Sequence, residues 1–242
     1  ALESKPHDWK EHPVIHIDLA DRASETPERL DRSLRAAIDE SAAILNRKLV
    51  QENAVDRFRE LILKASDREK VVILIDEYDK PILDNATSPD IDGIRRMLED
   101  FYSVIKATEP HQRFVLLTGV SKFSKVSVFS KLNNLTDITM DARFATMLGY
   151  TQRELEENFS QYIDPIAEKM KLKPQELLDQ TRDWYNGYQF ETDAETVYNP
   201  VSIGKFFIAE GKFSNYWFST GTPTFLLKLA KEQHFDFEKA IS

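Results

Sequence analysis

The chain has 242 residues, with 41 acidic and 32 basic side chains and a formal net charge of −9. This charge disfavours general binding to nucleic acid or anionic membranes, and the absence of cysteine excludes disulfides, thiol catalysis and cysteine metal sites. Because no apolar run approaches the ~20 residues of a membrane span and no signal-peptide core is found, we expect a cytoplasmic protein.

The N-terminal part of the sequence predicts one strand and two helices. Residues 13–19 form a short, largely apolar run that is typical of a strand. Thr26 and Pro27 provide a cap and a first helical residue, and they predict a helix that extends to about Val50. A second helix is predicted from residue 53 to residue 65.

Two further strands alternate with helices and indicate the fold class. Residues 71–75 are five consecutive β-prone aliphatics, which favours a strand covered on both faces, as in a parallel sheet. Residues 90–108 have a helical pattern, and residues 113–118 form another apolar strand. We therefore expect an α/β fold with a mostly parallel sheet and flanking helices. Residues 137–140 are predicted to form one more short strand.

The pattern changes after Tyr150, where we place a soft boundary between a core (residues 1–150) and a mainly helical subdomain (residues 151–242). Thr151 and Glu154 form a capping box that predicts a helix. Another helix is predicted from Pro174 to near Gly187. The remaining predicted elements are a hairpin between residues 187 and 199 and helix starts at Pro200 and at Thr222–Pro223.

The sharpest local feature is the pair of carboxylates that follows the strand at 71–75. At the carboxyl end of such a strand, Asp76 could hold Mg²⁺ through its water shell, and Glu77 could orient and deprotonate an attacking water. Acids also end strands simply because the chain emerges into water there. Since Asp79 adds a third acid, the cluster repels itself unless a cation or basic partner is near.

The strand at 113–118 supplies a second candidate feature. Thr118 at its carboxyl end and Ser121 just beyond could bind a nucleotide by sensing its γ-phosphate, or position the water. The alternative is an ordinary turn that happens to contain hydroxyl side chains. Lys122, Lys125 and Lys131 follow in a stretch without acids, and they could meet phosphate or nucleic acid or simply form a solvated loop.

No phosphate-binding loop accompanies these residues. The chain has seven glycines, the first of them Gly93, and no G-x-x-x-x-G-K-[ST] or G-x-G-x-x-G motif occurs. We therefore expect this chain by itself to bind nucleotide weakly or not at all. We expect neither Mg²⁺ nor ATP to be bound to it.

Several segments in order resemble the bacterial predicted AAA-ATPase family of P-loop NTPases. The resemblance rests on the segments at residues 13–18, 74–81 (Leu-Ile-Asp-Glu-Tyr-Asp-Lys-Pro), 117–124, 132–137, 184–188, 197–200 and 219–225. It implies a P-loop ATPase core that uses Mg²⁺ and ATP, followed by a helical lid. On this resemblance Asp76 is the magnesium-associated Walker B residue, Glu77 is the catalytic glutamate, and the strand ending at Thr118 carries the sensor.

The resemblance also implies that a Walker A strand is missing from the sheet. We expect one of three situations: a missing N-terminal segment, proteolysis, or a strand supplied at the open sheet edge by another copy or by a protein partner. The main alternative function is a non-hydrolysing interaction module on the same fold, and a weaker one is a nucleic-acid-associated regulator. The aromatic stretch at 184–188 is expected to pack under the hairpin rather than to stack on bases.

Overall fold

A computed structural model describes residues 9–120, 132 and 134–216 of the chain. Along the chain, these residues divide into two compact units between Thr136 and Asp137. Each unit is described by itself below. The boundary near residue 150 remains a prediction.

The first unit contains a three-stranded parallel sheet with the strand order β1-β2-β3. This arrangement confirms the predicted α/β class and the three strands read from the sequence. The elements are β1 (Val14–Asp18), α1 (Pro27–Ile44), α2 (Ala54–Ala65), β2 (Val71–Asp76), α3 (Lys80–Asp84), α4 (Ile91–Ala107) and β3 (Gln112–Leu117).

The pairing of β2 with β3 contains one irregularity near its start. Val71 pairs with Gln112, whereas the next residue, Val72, pairs with Phe114. Arg113 is therefore an additional residue in β3, as in a β-bulge. From Phe114 onward the two strands run in step, and Ile75 lies beside Leu117.

Helix α1 begins where the sequence predicts it but ends earlier than Val50. The Thr26 side chain accepts a hydrogen bond of 3.3 Å from the Arg29 N–H and caps the helix. At the other end, Asn46 takes a positive φ of 53°. The Arg47 N–H returns to the Ala42 carbonyl at 2.8 Å, which ends the helix in a Schellman-type turn.

Among the described residues, only one face of the sheet is fully covered. Alternate residues of β1 and β2 are buried in a cluster with the apolar sides of α1, α2 and α4, in which Phe58 stacks on Phe101 at 4.8 Å. On the other face Val72 and Leu74 are half-buried, and Phe114 is 52% exposed. The prediction that β2 is covered on both faces is therefore wrong for the described residues, because the helices pack on one side.

Glu60 of α2 anchors the segment that connects α1 to α2. Its Oε2 accepts hydrogen bonds from the Val50 and Gln51 N–H groups at 2.8 and 3.0 Å. Its Oε1 pairs with Lys64 at 2.7 Å, and the Glu60 side chain is 11% exposed. Burial acts to raise the pKa of Glu60, but the bonds from Lys64, Gln51 and Val50 outweigh it and lower the pKa to about 2.

We expect Glu60→Gln to destabilise the protein at pH 7 by about 1 kcal/mol, because charge-assisted hydrogen bonds are replaced by neutral ones. Since the folded pKa lies below the unfolded value, the ionised Glu60 stabilises the fold above pH ~4.5, and this contribution is lost as the pH falls toward ~2. Urea unfolding should show the free energy of unfolding of the wild type approaching that of Glu60→Gln as the pH falls from 7 to 2.5. Glu52→Gln, at an exposed position in the same connection, should have the stability of the wild type at every pH. If the free energy of unfolding changed with pH equally in the wild type and in Glu60→Gln, the role assigned to Glu60 would be wrong.

The second unit, as far as residue 216, is mainly helical with one small hairpin. It contains α5 (Gln152–Asn158), α6 (Ser160–Met170), α7 (Pro174–Tyr185), β4 (Asn186–Tyr188), β5 (Val197–Tyr198) and α8 (Pro200–Ile208). The predicted capping box is confirmed by the mutual bonds of Thr151 and Glu154. The hairpin is confirmed by the antiparallel pairing of β4 and β5. The helix start predicted at Thr222–Pro223 lies outside the described residues.

Two other sequence predictions fall in the second unit. Residues 137–140 form no strand, which corrects the prediction: the Asp137 carboxylate accepts the Thr139 N–H at 3.0 Å and folds the segment into a turn. The aromatic stretch packs only in part: Tyr185 is buried and Trp184 stacks on Phe213 at 5.5 Å, but Trp184 and Tyr188 remain 51% and 38% exposed. Across the described parts of both units, no helix has the length and apolar character to span a membrane.

Candidate functional site

The carboxyl ends of the three parallel strands place polar side chains in one row. Asp18 at the end of β1 lies beside Asp76 at the end of β2. Thr118, directly after β3, continues the row on the other side, and its hydroxyl donates a hydrogen bond to Asp76 Oδ1. The predicted residues Asp76 and Thr118 are therefore brought together by strand pairing.

Asp18 is a member of this row that sequence reasoning did not select. The signal was present, because Asp18 is the acid at the end of an apolar strand, as Asp76 is. Its Oδ1 accepts the Ala20 N–H at 2.8 Å, which turns the chain away from β1. Neighbouring parallel strands lie about 4.8 Å apart, so the Asp18 and Asp76 side chains leave adjacent backbones on the same face of the sheet.

Glu77 has an unusual backbone conformation. Its φ is +49°, in the left-handed region that a long side chain adopts at a cost of roughly 1–3 kcal/mol. The Glu77 N–H donates to Asp76 Oδ1 at 3.0 Å. Strain of this kind persists only where the surroundings fix it, and it is concentrated at functional sites.

Hydrogen bonds on both sides fix the residue after Glu77. The Tyr78 N–H donates to the Thr118 carbonyl at 3.0 Å, so that the loop after β2 stays joined to the end of β3. The Tyr78 carbonyl accepts the hydroxyl of Tyr102, a buried residue of α4, at 2.9 Å. The reversal at Glu77 is thus held between β3 and α4.

The electrostatic environment favours the protonated form of Glu77. Partial burial raises its pKa above the ordinary value, and the negative charges of Asp76, Asp18 and Asp79 raise it further, while Lys80 opposes them. A carboxylate with a raised pKa is a stronger base than an ordinary surface glutamate. Glu77 is therefore suited to accept a proton.

The third acid after β2 has a different environment from the other two. Asp79 is buried, and its Oδ2 accepts the Val120 N–H at 3.0 Å. Ser121, the other candidate for binding nucleotide, lies outside the described residues. Lys122, Lys125 and Lys131 also lie outside them.

The residues of the row fit a magnesium ion that keeps most of its water. Asp76 is exposed, and its Oδ1 is occupied by Thr118 and by the Glu77 N–H. No group of three or more histidine or acidic side chains in the described part of the chain is arranged to hold a metal directly. Mg²⁺ is commonly bound by one or two carboxylates together with water and phosphate oxygens, and Asp76 meets that requirement.

The described row lies within a match to a known family model. Residues 1–129 match the model described as Predicted AAA-ATPase. The chain belongs to this family. The match includes all three strands of the sheet, with Asp76, Glu77, Thr118 and Ser121, and so confirms the resemblance found in the sequence.

A curated relative extends the similarity into the second unit. The chain is 40% identical over 230 residues to a protein of Azotobacter chroococcum mcd 1 that is called "Uncharacterized protein in vnfD 5'region". The alignment covers 93% of this chain but 42% of the relative, so the chain spans less than half of the relative's length. No solved structure matches the chain significantly.

Proposed function

We propose that the chain forms the acidic edge of a magnesium-dependent ATP-hydrolysing site. Asp76 holds Mg²⁺ through its water shell, Glu77 takes the proton of the attacking water, and Thr118 senses the γ-phosphate, with Ser121 as a second candidate for that contact. The observation that carries the proposal is the hydrogen bond between Thr118 and Asp76 at the shared strand edge, with Glu77 next in the chain. The family supports the nucleotide as ATP.

Each side chain has a separate task in this proposal. When bound, Mg²⁺ would neutralise charge on the phosphates. The Asp76 carboxylate would orient the water shell. The single O–H of Thr118 donates to Asp76 Oδ1, so to sense the γ-phosphate Thr118 would turn this donor from Asp76 to the phosphate. Glu77, whose pKa is raised by burial and by neighbouring acids, accepts a proton more readily than a solvated glutamate.

The cradle for the β- and γ-phosphates is not among these residues. No G-x-x-x-x-G-K-[ST] motif occurs in the 242 residues, although backbone N–H groups and a lysine usually supply that cradle. We therefore propose that sequence outside this chain provides the loop in the full-length gene product. The 242-residue chain alone is then expected to bind ATP weakly or not at all.

Steady-state turnover of ATP by the full-length gene product tests the proposed function. Phosphate release should require Mg²⁺ and stop when EDTA is added in excess. The 242-residue chain, assayed in parallel, should release no phosphate above the buffer rate. Full-length protein that neither binds nor hydrolyses ATP in the presence of Mg²⁺ would refute the proposal.

A non-hydrolysing interaction module is the second candidate, and the uncovered sheet face favours it. Val14 and Phe114 are 43% and 52% exposed, and both are in register with Val72 on the face that the helices do not cover. A face of this kind beside a sheet edge can pair with another chain. In this second candidate the occupant is another copy of the same chain.

We expect Phe114→Lys to weaken self-association of the 242-residue chain by at least tenfold, because a charge is placed on the apolar face. Sedimentation velocity over a range of protein concentrations measures the change. Ile208→Lys, at an 85% exposed position of α8, is the matched control and should associate as the wild type does. An unchanged dissociation constant for Phe114→Lys would exclude this face as the contact.

A further inference from the structure

Asp79 differs from the other acids after β2 because its side chain is buried inside the first unit. Only 1% of Asp79 is exposed, whereas Asp76 lies in solvent at the strand end. The Asp79 Oδ2 accepts a hydrogen bond of 3.0 Å from the Val120 N–H. The carboxylate thus reaches from the loop after β2 to the segment after β3.

Gly119 makes this close approach possible. A Cβ atom at position 119 would lie 2.5 Å from Asp79 Oδ1 and 2.7 Å from the ring carbon Cε1 of Tyr78. Real Cβ atoms do not come so close to other heavy atoms. Any residue larger than glycine would therefore displace the Asp79 carboxylate and the Tyr78 ring at this point.

Asp79, which accepts the Val120 N–H, lies two residues beyond the strained backbone of Glu77. The segment from Thr118 to Val120 holds the loop after β2 at two points: the Thr118 carbonyl binds the Tyr78 N–H, and the Val120 N–H binds Asp79. A left-handed glutamate needs such support, since a free loop would relax it. The support comes from the same segment that carries Thr118.

We infer that Asp79 is a positioning residue for Glu77, because it locks the loop that carries Glu77 against the segment that carries Thr118. The lock keeps the carboxylate of Glu77 and the hydroxyl of Thr118 at a constant separation. The inference rests on the proposed function, in which these two groups act on the same phosphate and water. A displacement of about 1 Å at such a site can cost on the order of 100-fold in rate.

The chain offers a matched control at the other end of α3. Asn85 is also buried, and its Nδ2 donates to the carbonyls of Ser24 and Pro81 at 3.0 and 2.8 Å. These bonds tie α3 to the loop after β1. Asn85→Ala therefore removes buried hydrogen bonds from the same short helix without altering the contact with the segment after β3.

The experiment compares ATP turnover by the full-length gene product in four variants: Asp79→Ala, Asp79→Asn, Gly119→Ala and Asn85→Ala. Asp79→Ala and Gly119→Ala should lower kcat roughly 10- to 100-fold and leave the KM for ATP unchanged, because positioning is lost and binding is not. Asp79→Asn keeps an oxygen acceptor for the Val120 N–H and should retain most of kcat. Asn85→Ala should lower Tm as Asp79→Ala does but keep the kcat of the wild type.

Amide hydrogen exchange provides a readout that does not depend on catalysis. The amides of Tyr78 and Val120 should exchange faster in Asp79→Ala and at the wild-type rate in Asn85→Ala. Three results would overturn the inference and leave the proposed function intact. They are unchanged exchange at both amides, unchanged kcat in Asp79→Ala and Gly119→Ala, and a loss of kcat in Asn85→Ala as large as the loss in Asp79→Ala. Turnover that survives Glu77→Gln would overturn the proposed function and the positioning role together.

Discussion

Full-length protein that carries Glu77→Gln is expected to bind ATP and fail to turn it over. Glutamine keeps the size of the side chain and the strained backbone, but it cannot accept the proton of the attacking water. Loss of a general base of this kind typically costs 10²–10⁴-fold in rate. Phosphate release should fall by that factor, while equilibrium binding of ATP measured without turnover should stay within the range of the wild type.

Glu109→Gln is the matched control for the loss of a glutamate charge. Glu109 is exposed and precedes β3, at the opposite end of the strand from Thr118. This variant should hydrolyse ATP as the wild type does. Retained turnover in Glu77→Gln would show that Glu77 is not the base, and it would favour the interaction module.

Asp76→Asn is expected to lower activity with little change in stability. The asparagine oxygen can still accept the Thr118 hydroxyl and the Glu77 N–H, so the local fold is kept. Its charge is lost, however, and the Mg²⁺ concentration that supports half-maximal turnover should rise at least tenfold, with turnover about 100-fold lower at cellular Mg²⁺. The repulsion between Asp76 and Asp18 disappears, but the hydrogen bonds from Thr118 and Glu77 lose their charge assistance, so the free energy of unfolding should change by less than about 1 kcal/mol.

Asp18→Asn separates the two effects of Asp76→Asn. It removes the same repulsion from the other side, but one hydrogen bond to a carboxylate loses its charge assistance and not two. Urea unfolding without Mg²⁺ should therefore give Asp18→Asn a free energy of unfolding no lower than that of Asp76→Asn. It leaves the Asp76 carboxylate ionised beside Thr118, and we expect a smaller change in the Mg²⁺ requirement. A destabilised Asp76→Asn variant with normal turnover would show that Asp76 serves the fold and not the metal.

The local elements of this fold could be predicted because short-range signals specify them. Thr26, Asn53 and Thr151 each cap the predicted helix by accepting a backbone N–H. The aliphatic runs became strands because β-branched side chains suit an extended, buried chain. The end of α1 was missed because Asn46 stops the helix in a left-handed conformation that asparagine adopts in few of its positions.

The candidate site could be predicted only in part, because its remaining features depend on contacts between distant segments. Asp76 and Thr118 were found since each ends an apolar run. The place of Asp18 beside them follows from strand order and register, which no local pattern contains. The burial of Asp79 depends on the segment after β3, and the positive φ of Glu77 has no signature in a residue that rarely adopts it.

The additional residue in β3 sets which side chain meets Asp76. If Arg113 were paired with Val72 instead of bulged, continuous pairing from Val71 and Gln112 would bring Leu117 beside Asp76 and turn Thr118 toward the opposite side. The hydroxyl contact therefore depends on the bulge at Arg113 and not only on the identity of the residue that follows the strand. Homologues that lack the residue at position 113 would still place the residue after this strand beside Asp76, and aligning them without a gap at Arg113 would misassign the proposed sensor.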